Sequence, residues 1–189
     1  AYTGQVTSTL SSTVTATYGQ SDIAVSNAAS DGYQVTAVTT TPGANTIGLT
    51  WTSRSDVPAA DGTYCVFVTA SDGTDTSSVA SSTVTLDNVV PTAPGALTTS
   101  ATSTTGFTFA YGAAGSDTNF SDYRIFYKAG SSGVTTGDSS LTSSTASTLG
   151  SVTYTGATTV GLTGLATNTQ YVANIWIYDT YGNSASSTR

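Results

Sequence analysis

The side chains with the greatest chemical capability in this 189-residue chain are its 11 acidic residues, and all of them are Asp. Paired carboxylates catalyse glycoside hydrolysis, and carboxylates combined with amide and backbone oxygens bind Ca²⁺. No two Asp residues stand in a context that indicates a catalytic cleft, and no EF-hand spacing is present. Asp is also a common turn residue, so each candidate has both a metal-binding and a purely structural interpretation.

Residue types that the chain lacks exclude several kinds of active site. His is absent, so the sequence has no Ser-His-Asp triad, no His-ligated zinc site and no proximal His for haem. Cys65 is the only cysteine, so no intramolecular disulfide forms. Because the Ser residues also lack a His base, we predict a protein that is not an enzyme and has no catalytic residue.

Charge and hydropathy narrow the choice of partners. The net charge is −7 with only four basic residues, too few to neutralise a run of phosphates, so we predict no nucleic-acid binding. The longest apolar runs are only a few residues, which predicts that this segment does not insert into a membrane. Thr and Ser are abundant while Glu is absent, a composition that favours strands over helices.

Turn signals at short intervals, with Thr-, Val- and Tyr-rich segments between them, predict an all-β chain. The strands are expected at about 6–18, 22–27, 33–40, 46–53, 62–70, 78–86, 96–101, 105–111, 122–129, 156–163, 169–178 and 183–188. A Ser/Thr/Gly-rich stretch at 129–155 predicts a short edge strand and a long loop. Two prolines in 89–95 indicate an extended linker between predicted domains at 1–88 and 96–189.

The first predicted strand has an apolar face that includes Val6, Leu10, Val14 and Tyr18, opposite a Thr/Ser face. Residues 5–18 would span about 45 Å when fully extended, which exceeds a usual sandwich strand. Two interpretations remain open. The segment bends and serves both sheets of its own module, or it pairs with a sheet of the next copy by strand exchange, which makes the chain a polymer subunit.

The two halves repeat a strand-and-turn unit, GTYCVFVTASD at 62–72 and NTQYVANIWIYD at 168–179. The second half resembles a fibronectin type III domain. Residues 165–171 (LATNTQY) match that family's Leu-x-Pro-x-Thr-x-Tyr corner with Thr167 in place of Pro, residues 122–127 (DYRIFY) match strand C, and residues 107–111 (FTFAY) match strand B. The first half resembles the Ig-like repeats of bacterial surface proteins, through residues 62–73 and 84–88 and through Pro91.

This resemblance implies two tandem Ig-like and fibronectin type III-like β-sandwiches, displayed on the outside of a cell for spacing or adhesion and without catalysis. It places Tyr64 and Tyr171 at strand corners, with hydroxyls bonded to nearby backbone. Tyr111 stands where the family usually has Trp, so the core there must be rebuilt around a smaller ring.

In the second module, strand alternation places Trp176 and Tyr178 on the outer face of strand F, and Arg124 and Phe126 on the outer face of strand C. Exposed together, these side chains would form an interaction face for another protein or a glycan. The alternative is that the long loop at 129–155 folds over the aromatic rings.

The implied topology also brings acidic segments toward the junction of the two modules. Asp87 and Asn88 leave the first module there, Asp117 lies in the B–C loop and Asp179 lies in the F–G loop. These oxygens could bind Ca²⁺ and rigidify the junction. The alternative is that they serve only as the turn residues that a β-rich chain needs.

These observations predict a non-enzymatic extracellular structural protein, a repeat unit of a cell-surface filament, surface array or adhesin stalk. Its partners would be copies of itself or other surface proteins, because few charges and dense hydroxyls suit a surface that packs against its own copies. The alternative is a carbohydrate-binding or spacer module of a secreted polysaccharide-degrading enzyme, which would stack aromatic rings on sugars.

Overall fold

The structure is a computed structural model that describes residues 2–6, 14–18, 21–28, 32–35, 47–50, 53–70 and 74–188. The chain divides into two compact units, Ala1–Val89 and Val90–Arg189. The fold class is all-β, as the turn spacing predicted, and the described helices are single turns, α1 (Ser53–Asp56) and a 3₁₀ turn at Ser147–Gly150. Within the described ranges, no helix has the length and hydropathy needed to cross a membrane.

The described residues of the first unit form seven antiparallel strands. They are β1 (Tyr2–Val6), β2 (Val14–Tyr18), β3 (Ser21–Ala28), β4 (Gly32–Val35), β5 (Ile47–Thr50), β6 (Asp61–Ala70) and β7 (Ala80–Asp87). Their hydrogen-bonded order is β5-β2-β3-β4-β1-β6-β7. The long strand β3 has two successive partners, because residues 21–25 pair with β2 and residues 26–28 pair with β4.

The segment predicted as one long first strand contains two described strands with different neighbours. β1 lies between β4 and β6, and β2 lies between β3 and β5. Among the strand-exchange candidates, Val6 ends β1, Val14 and Tyr18 are the first and last residues of β2, and Leu10 lies outside the described residues. Exchange with another copy stays a prediction, and it would require β1 or β2 to leave the neighbours that they have here.

The second unit is a sandwich of two antiparallel sheets. Its strands are β8 (Thr98–Ser103), β9 (Gly106–Ala110), β10 (Phe120–Ala129), β11 (Ser139–Leu141), β12 (Thr159–Thr163), β13 (Tyr171–Asp179) and β14 (Ser184–Ser186). One sheet has the order β11-β10-β13-β14 and the other has the order β12-β9-β8. Alternate side chains of both sheets meet in one hydrophobic core, because successive residues of a strand point to opposite faces.

That core contains fully buried Ile125, Ile175 and Ile177 from the four-stranded sheet, and Val160 and Leu162 from β12. The strand β12 shows the expected alternation in its burial, with every second residue buried. Burying each of these aliphatic side chains stabilises the fold by roughly 1.5–3 kcal/mol.

The connection between β10 and β12 contributes side chains to the core. It contains the predicted short edge strand β11, and its Leu149 and Tyr154 belong to the core cluster. The Tyr154 ring stacks on Tyr111 with centroids 4.2 Å apart and an angle of 4° between the planes. The family resemblance implied that the core around Tyr111 had to be rebuilt, because Tyr is smaller than the usual Trp. The Tyr154 ring packs at that position.

Residues 90–95, which are part of the segment predicted as a linker, group with the second unit. Thr92 donates a backbone hydrogen bond to Ser116 O at 2.9 Å, and Gly95 donates one to Ala113 O at 2.7 Å. The donors of these two bonds are not the prolines at 91 and 94, so the segment is still held to residues 113–116 by backbone hydrogen bonds.

Glycine makes this close approach of two backbones possible. A Cβ atom at Gly115 would overlap the carbonyl oxygen of Thr92, and one at Gly112 would lie 2.5 Å from the carbonyl carbon of Gly95. A side chain at either position would therefore push the segment 91–95 away from residues 112–116.

Candidate functional site

The outer face of the four-stranded sheet carries the interaction residues that alternation predicted. The β10–β13 register sets Arg124 opposite Trp176, Phe126 opposite Asn174, and Asp122 opposite Tyr178. Cross-strand neighbours on one face lie close enough to interact, so these two strands assemble the group from distant parts of the sequence. We call Arg124, Phe126, Trp176 and Tyr178 the aromatic face.

The aromatic face is less open than predicted. Phe126 is only 5% exposed, and its ring lies edge-on to Trp176 with centroids 5.2 Å apart at 88°. Trp176, Tyr178 and Arg124 are half-buried. The prediction of an exposed Phe126 is therefore wrong, because the neighbouring indole ring shields it. Trp176 and Tyr178 retain the accessible aromatic area.

Arg124 is held by its neighbours on the same face. Its Nε lies 3.1 Å from Asp122 Oδ2, and its guanidinium carbon lies 4.2 Å from the centroid of the Tyr178 ring. Burial raises the pKa of the Tyr178 phenol, with Arg124 acting in the opposite direction and Asp122 adding to the rise. The cation is thus engaged by a carboxylate and a ring, which leaves the face short of free charge.

Asp179 organises the turn between β13 and β14. It is 4% exposed, its Oδ1 accepts hydrogen bonds from the backbone N–H groups of Tyr181 (2.9 Å) and Asn183 (2.8 Å), and its Oδ2 accepts one from Asn183 Nδ2 at 2.7 Å. A carboxylate that caps two backbone donors and one amide acts as a turn residue, which is the structural alternative considered for it.

The other predicted calcium ligands also have local partners. Asp117 Oδ1 accepts a hydrogen bond from the Asn119 backbone N–H at 2.7 Å, and a carboxylate oxygen of Asp117 lies within 4.8 Å of one of Asp179. In the first unit, Asp87 Oδ1 accepts from Val89 N–H at 3.1 Å, and Asn88 Nδ2 donates to Val57 O at 2.9 Å. Of these residues, Asp117 and Asp179 are the pair in the second unit that could offer carboxylates to Ca²⁺, and the calcium site stays a prediction.

Three tyrosines from distant parts of the chain form a buried cluster that sequence analysis missed. Tyr123 lies between the sheets, and its hydroxyl shares its one hydrogen between Gly115 O (3.0 Å) and Val152 O (2.9 Å). Its ring centroid is 4.5 Å from that of Tyr154. The Tyr111 hydroxyl lies 2.8 Å from Thr148 Oγ1. Tyr111 and Tyr123 lie in predicted strands, so the sequence pattern locates two of the three rings. Tyr154 lies in the predicted loop, where no local pattern indicates a buried ring.

Tyr154 combines two unfavourable features. Its φ is +51°, in the left-handed region, and its buried hydroxyl makes no hydrogen bond of good geometry, although it interacts with the Tyr123 hydroxyl. Burial raises the pKa of the Tyr154 phenol well above its usual range, and the adjacent Tyr123 adds to the rise. Strained backbone of this kind costs about 1–3 kcal/mol, so the packing of its ring must offset that cost.

The corner before β13 agrees with the predicted arrangement. The Ala166 backbone N–H donates to the Tyr171 hydroxyl at 3.2 Å, which confirms the predicted bond between Tyr171 and nearby backbone. Tyr171 opens its strand, whereas Tyr64 lies inside β6 opposite Val84. Beside the corner, an open groove of about 460 Å³ has Phe107 and Tyr171 in its lining, together with the polar side chains of Ser103, Thr104, Asn168, Thr169 and Gln170.

The three-stranded sheet differs from the aromatic face in carrying no charge. No Asp, Lys or Arg occurs in β8, β9 or β12, nor between residues 139 and 178. The six residues of β8 are all exposed, and they are Thr, Ser and Ala only. The described charged residues of the second unit lie in β10, at the end of β13 and in the loops that flank β10.

A scan of the sequence against family models finds no match, and a search of curated proteins finds none either. Solved structures similar to this chain include the FN1–FN3 domains of chicken CNTN1, with 11% identity over 100% of this chain and a TM-score of 0.48. A two-domain fibronectin type III segment of chicken tenascin shares 16% identity over 99% of this chain and 91% of its own length, with a TM-score of 0.39.

A crystal structure of domains from titin shares 20% identity over 93% of this chain and 51% of that chain, with a TM-score of 0.41. This chain covers 57% of the CNTN1 segment. The likeness concerns the fold alone.

Proposed function

We propose that this chain is a non-enzymatic structural module, a repeat unit of an extracellular filament, surface array or adhesin stalk on a cell surface. The observation that supports the proposal is the division of the second unit into one sheet whose two cations, Arg124 and Lys128, are already paired with Asp residues and one sheet without charge. Its partners would be copies of itself or other surface proteins, since an uncharged hydroxyl-rich sheet can approach its own copy without repulsion.

The physical consequence concerns salt. Contacts between charged surfaces weaken as ionic strength rises, because the Debye length falls from about 10 Å at 0.1 M to about 3 Å at 1 M. Contacts made by backbone, hydroxyl and methyl groups lose little over that range. Assembly through the uncharged sheet should therefore persist at high salt.

The test is electron microscopy of negatively stained full-length chain, combined with sedimentation over a range of concentrations at low and high salt. We expect filaments, arrays or large particles whose extent changes little with salt. Removal of residues 1–20 takes two inner strands, β1 and β2, out of the first unit, so its informative outcome is survival: assembly that persists in this deletion excludes exchange of β1 and β2 between copies. A chain that remains monomeric in all conditions would contradict the proposal.

The second candidate is a carbohydrate-binding or spacer module of a secreted polysaccharide-degrading enzyme. The half-buried rings of Trp176 and Tyr178 favour it, since they lie beside Asn174 on one face and aromatic rings stack on sugars. Retention on insoluble glucan or chitin, lost in Trp176→Ala and kept in the exposed control Val152→Ala, would support it. Absence of retention in the unmodified chain would eliminate it.

A further inference from the structure

We infer that the free edge of β8 pairs with β8 of a second copy of this chain, in antiparallel register about a two-fold axis. This inference rests on the proposed function and names the surface through which copies meet. The pairing would join the two three-stranded sheets into one continuous sheet of six strands.

The first observation is the position of β8 at a sheet edge. Within the part of the chain that the structure describes, β9 is the strand that pairs with β8, so the other edge of β8 presents unpaired N–H and C=O groups. All six residues of β8 are exposed. Such an edge is a template for another strand, and its hydrogen-bonding groups are complementary to an identical antiparallel edge.

The second observation is that β8 stands apart from the hydrophobic core. None of its residues belongs to the core cluster or to the side chains packed against it, whereas Phe107 and Phe109 on the paired strand do. Thr99 and Thr102, which lie opposite these two rings, remain exposed. The ladder to β9 therefore supplies most of what holds β8, and a second ladder would add to it.

The third observation concerns the devices that usually protect an edge. Soluble proteins block such strands with charged side chains, proline or shortness, but β8 has six residues and neither charge nor proline. The one protective device of this kind on β8 is the bulge-like irregularity between Thr99 and Ala101, which interrupts its ladder with β9. The other three edges are shorter, with three residues in β11, five in β12 and three in β14.

A second copy fits this edge better than a charged partner does. The edge offers nothing for an ion pair, while two copies bring together Thr, Ser and Ala side chains without like-charge repulsion. Antiparallel pairing also has the more stable hydrogen-bond geometry. One six-residue ladder is a small interface, so we expect weak pairing of isolated copies that strengthens when copies are held in a row.

The experiment introduces charge at Ala101, which is exposed and near the middle of β8. Two copies bring their residues 101 close to the two-fold axis, so both Ala101→Lys and Ala101→Asp place like charges together. We expect each variant alone to dimerise at least about tenfold more weakly in sedimentation experiments, since such contacts cost more than about 1.4 kcal/mol. An equal mixture should recover dimers, and high salt should weaken that recovery.

The matched control is Thr159→Lys, which adds the same charge to the exposed first residue of the opposite edge strand β12. It should leave dimerisation unchanged. Hydrogen exchange provides a second measurement, because amides of residues 98–103 should exchange more slowly as the concentration of unmodified chain rises. Unchanged circular dichroism of each variant would show that the fold is retained.

The outcomes separate this inference from the proposed function. Large assemblies that persist in both Ala101 variants would overturn pairing through β8 and leave the structural role intact. Dimers that need β8 but never grow larger would support the pairing and contradict the filament. A chain that is monomeric at its highest soluble concentration, or an effect of Thr159→Lys alone, would overturn the pairing.

Discussion

The two sheets of the second unit differ in how far their charged, aromatic and hydrogen-bonding groups already have partners within the same sheet. On the four-stranded sheet, Arg124 contacts both Asp122 and Tyr178, and Phe126 is shielded by Trp176. On the three-stranded sheet, β8 has no charge, no core contact and one free edge. The residues most conspicuous in the sequence are thus engaged with each other, while the least conspicuous strand retains unused hydrogen-bonding capacity.

The largest expected effect comes from the core, where the two sheets should differ in what they contribute to stability. Ile175 is fully buried and Thr102 of β8 is exposed. We expect Ile175→Ala to lower the free energy of unfolding by about 2–5 kcal/mol, and Thr102→Ala to change it by less than about 0.5 kcal/mol. Hydrogen exchange of β10 and β13 amides in the full chain measures both. Equal losses of stability in Ile175→Ala and Thr102→Ala would contradict the unequal contribution of the two sheets.

The next effect concerns the chain segment that leads into β8. Gly115→Ala places a Cβ against the carbonyl oxygen of Thr92 and near the side chain of Ile177. We expect a loss of about 1–3 kcal/mol, with faster exchange at the amides of Thr92 and Gly95. Gly161→Ala is the matched control, since its Cβ would meet no atom within 4 Å. Similar losses in both variants would show that the close approach of the backbones is not the cause.

A smaller effect is expected on the aromatic face. Trp176→Ala removes the ring that shields Phe126 and should cost about 1–2 kcal/mol, while Arg124→Ala should cost about 0.5–1 kcal/mol. Urea denaturation of the full chain, followed by circular dichroism, gives both values. A gain in stability for Trp176→Ala would mark the ring as kept for binding rather than for packing.

The smallest effect concerns the tyrosine cluster between the sheets. Tyr154→Phe removes a buried hydroxyl that makes no hydrogen bond of good geometry, so stability should stay equal or rise by up to about 1 kcal/mol. Because the folded pKa of Tyr154 is raised, the unfolded chain ionises first as the pH increases. Stability is therefore complete below about pH 10, the pKa of a free phenol, and falls above it.

The Phe variant should show a weaker decline of stability at high pH than the unmodified chain. Chemical denaturation at a series of pH values between neutral and strongly alkaline conditions measures this. Identical pH dependence in the two proteins would mean that Tyr111, Tyr123 or other groups control the alkaline transition, since burial raises the pKa of both these phenols as well.

Local patterns predicted much of the second unit because they depend on neighbouring residues. Alternation located β9, β10 and β13 and put Trp176 and Tyr178 on the outer face, and the LATNTQY stretch predicted the bond to the Tyr171 hydroxyl. The acidic residues at turns also followed this logic, since Asp179 caps the backbone four residues away.

The features that were missed depend on contacts between distant residues. The burial of Phe126 needs the rotamer of Trp176, which is 50 positions later in the chain. Tyr154 packs in the core although it lies in a Ser/Thr/Gly-rich connection, a composition that is typical of a solvent-exposed loop. The two prolines in 91–95 led to the prediction of a linker. The close approach of this segment to residues 112–116 depends on glycines about 20 residues further along the chain, so no local pattern could show it.

The ladder between 92–95 and 113–116 has a mechanical consequence. A pull on the chain at residue 90 would load the bond from Thr92 to Ser116 and then the bond from Gly95 to Ala113, before any strand of the sandwich. Release of residues 91–95 would free about 17 Å of chain, at ~3.4 Å per residue. The hydrophobic cluster would stay closed meanwhile, so the module would yield a short, recoverable extension under tension before it unfolds.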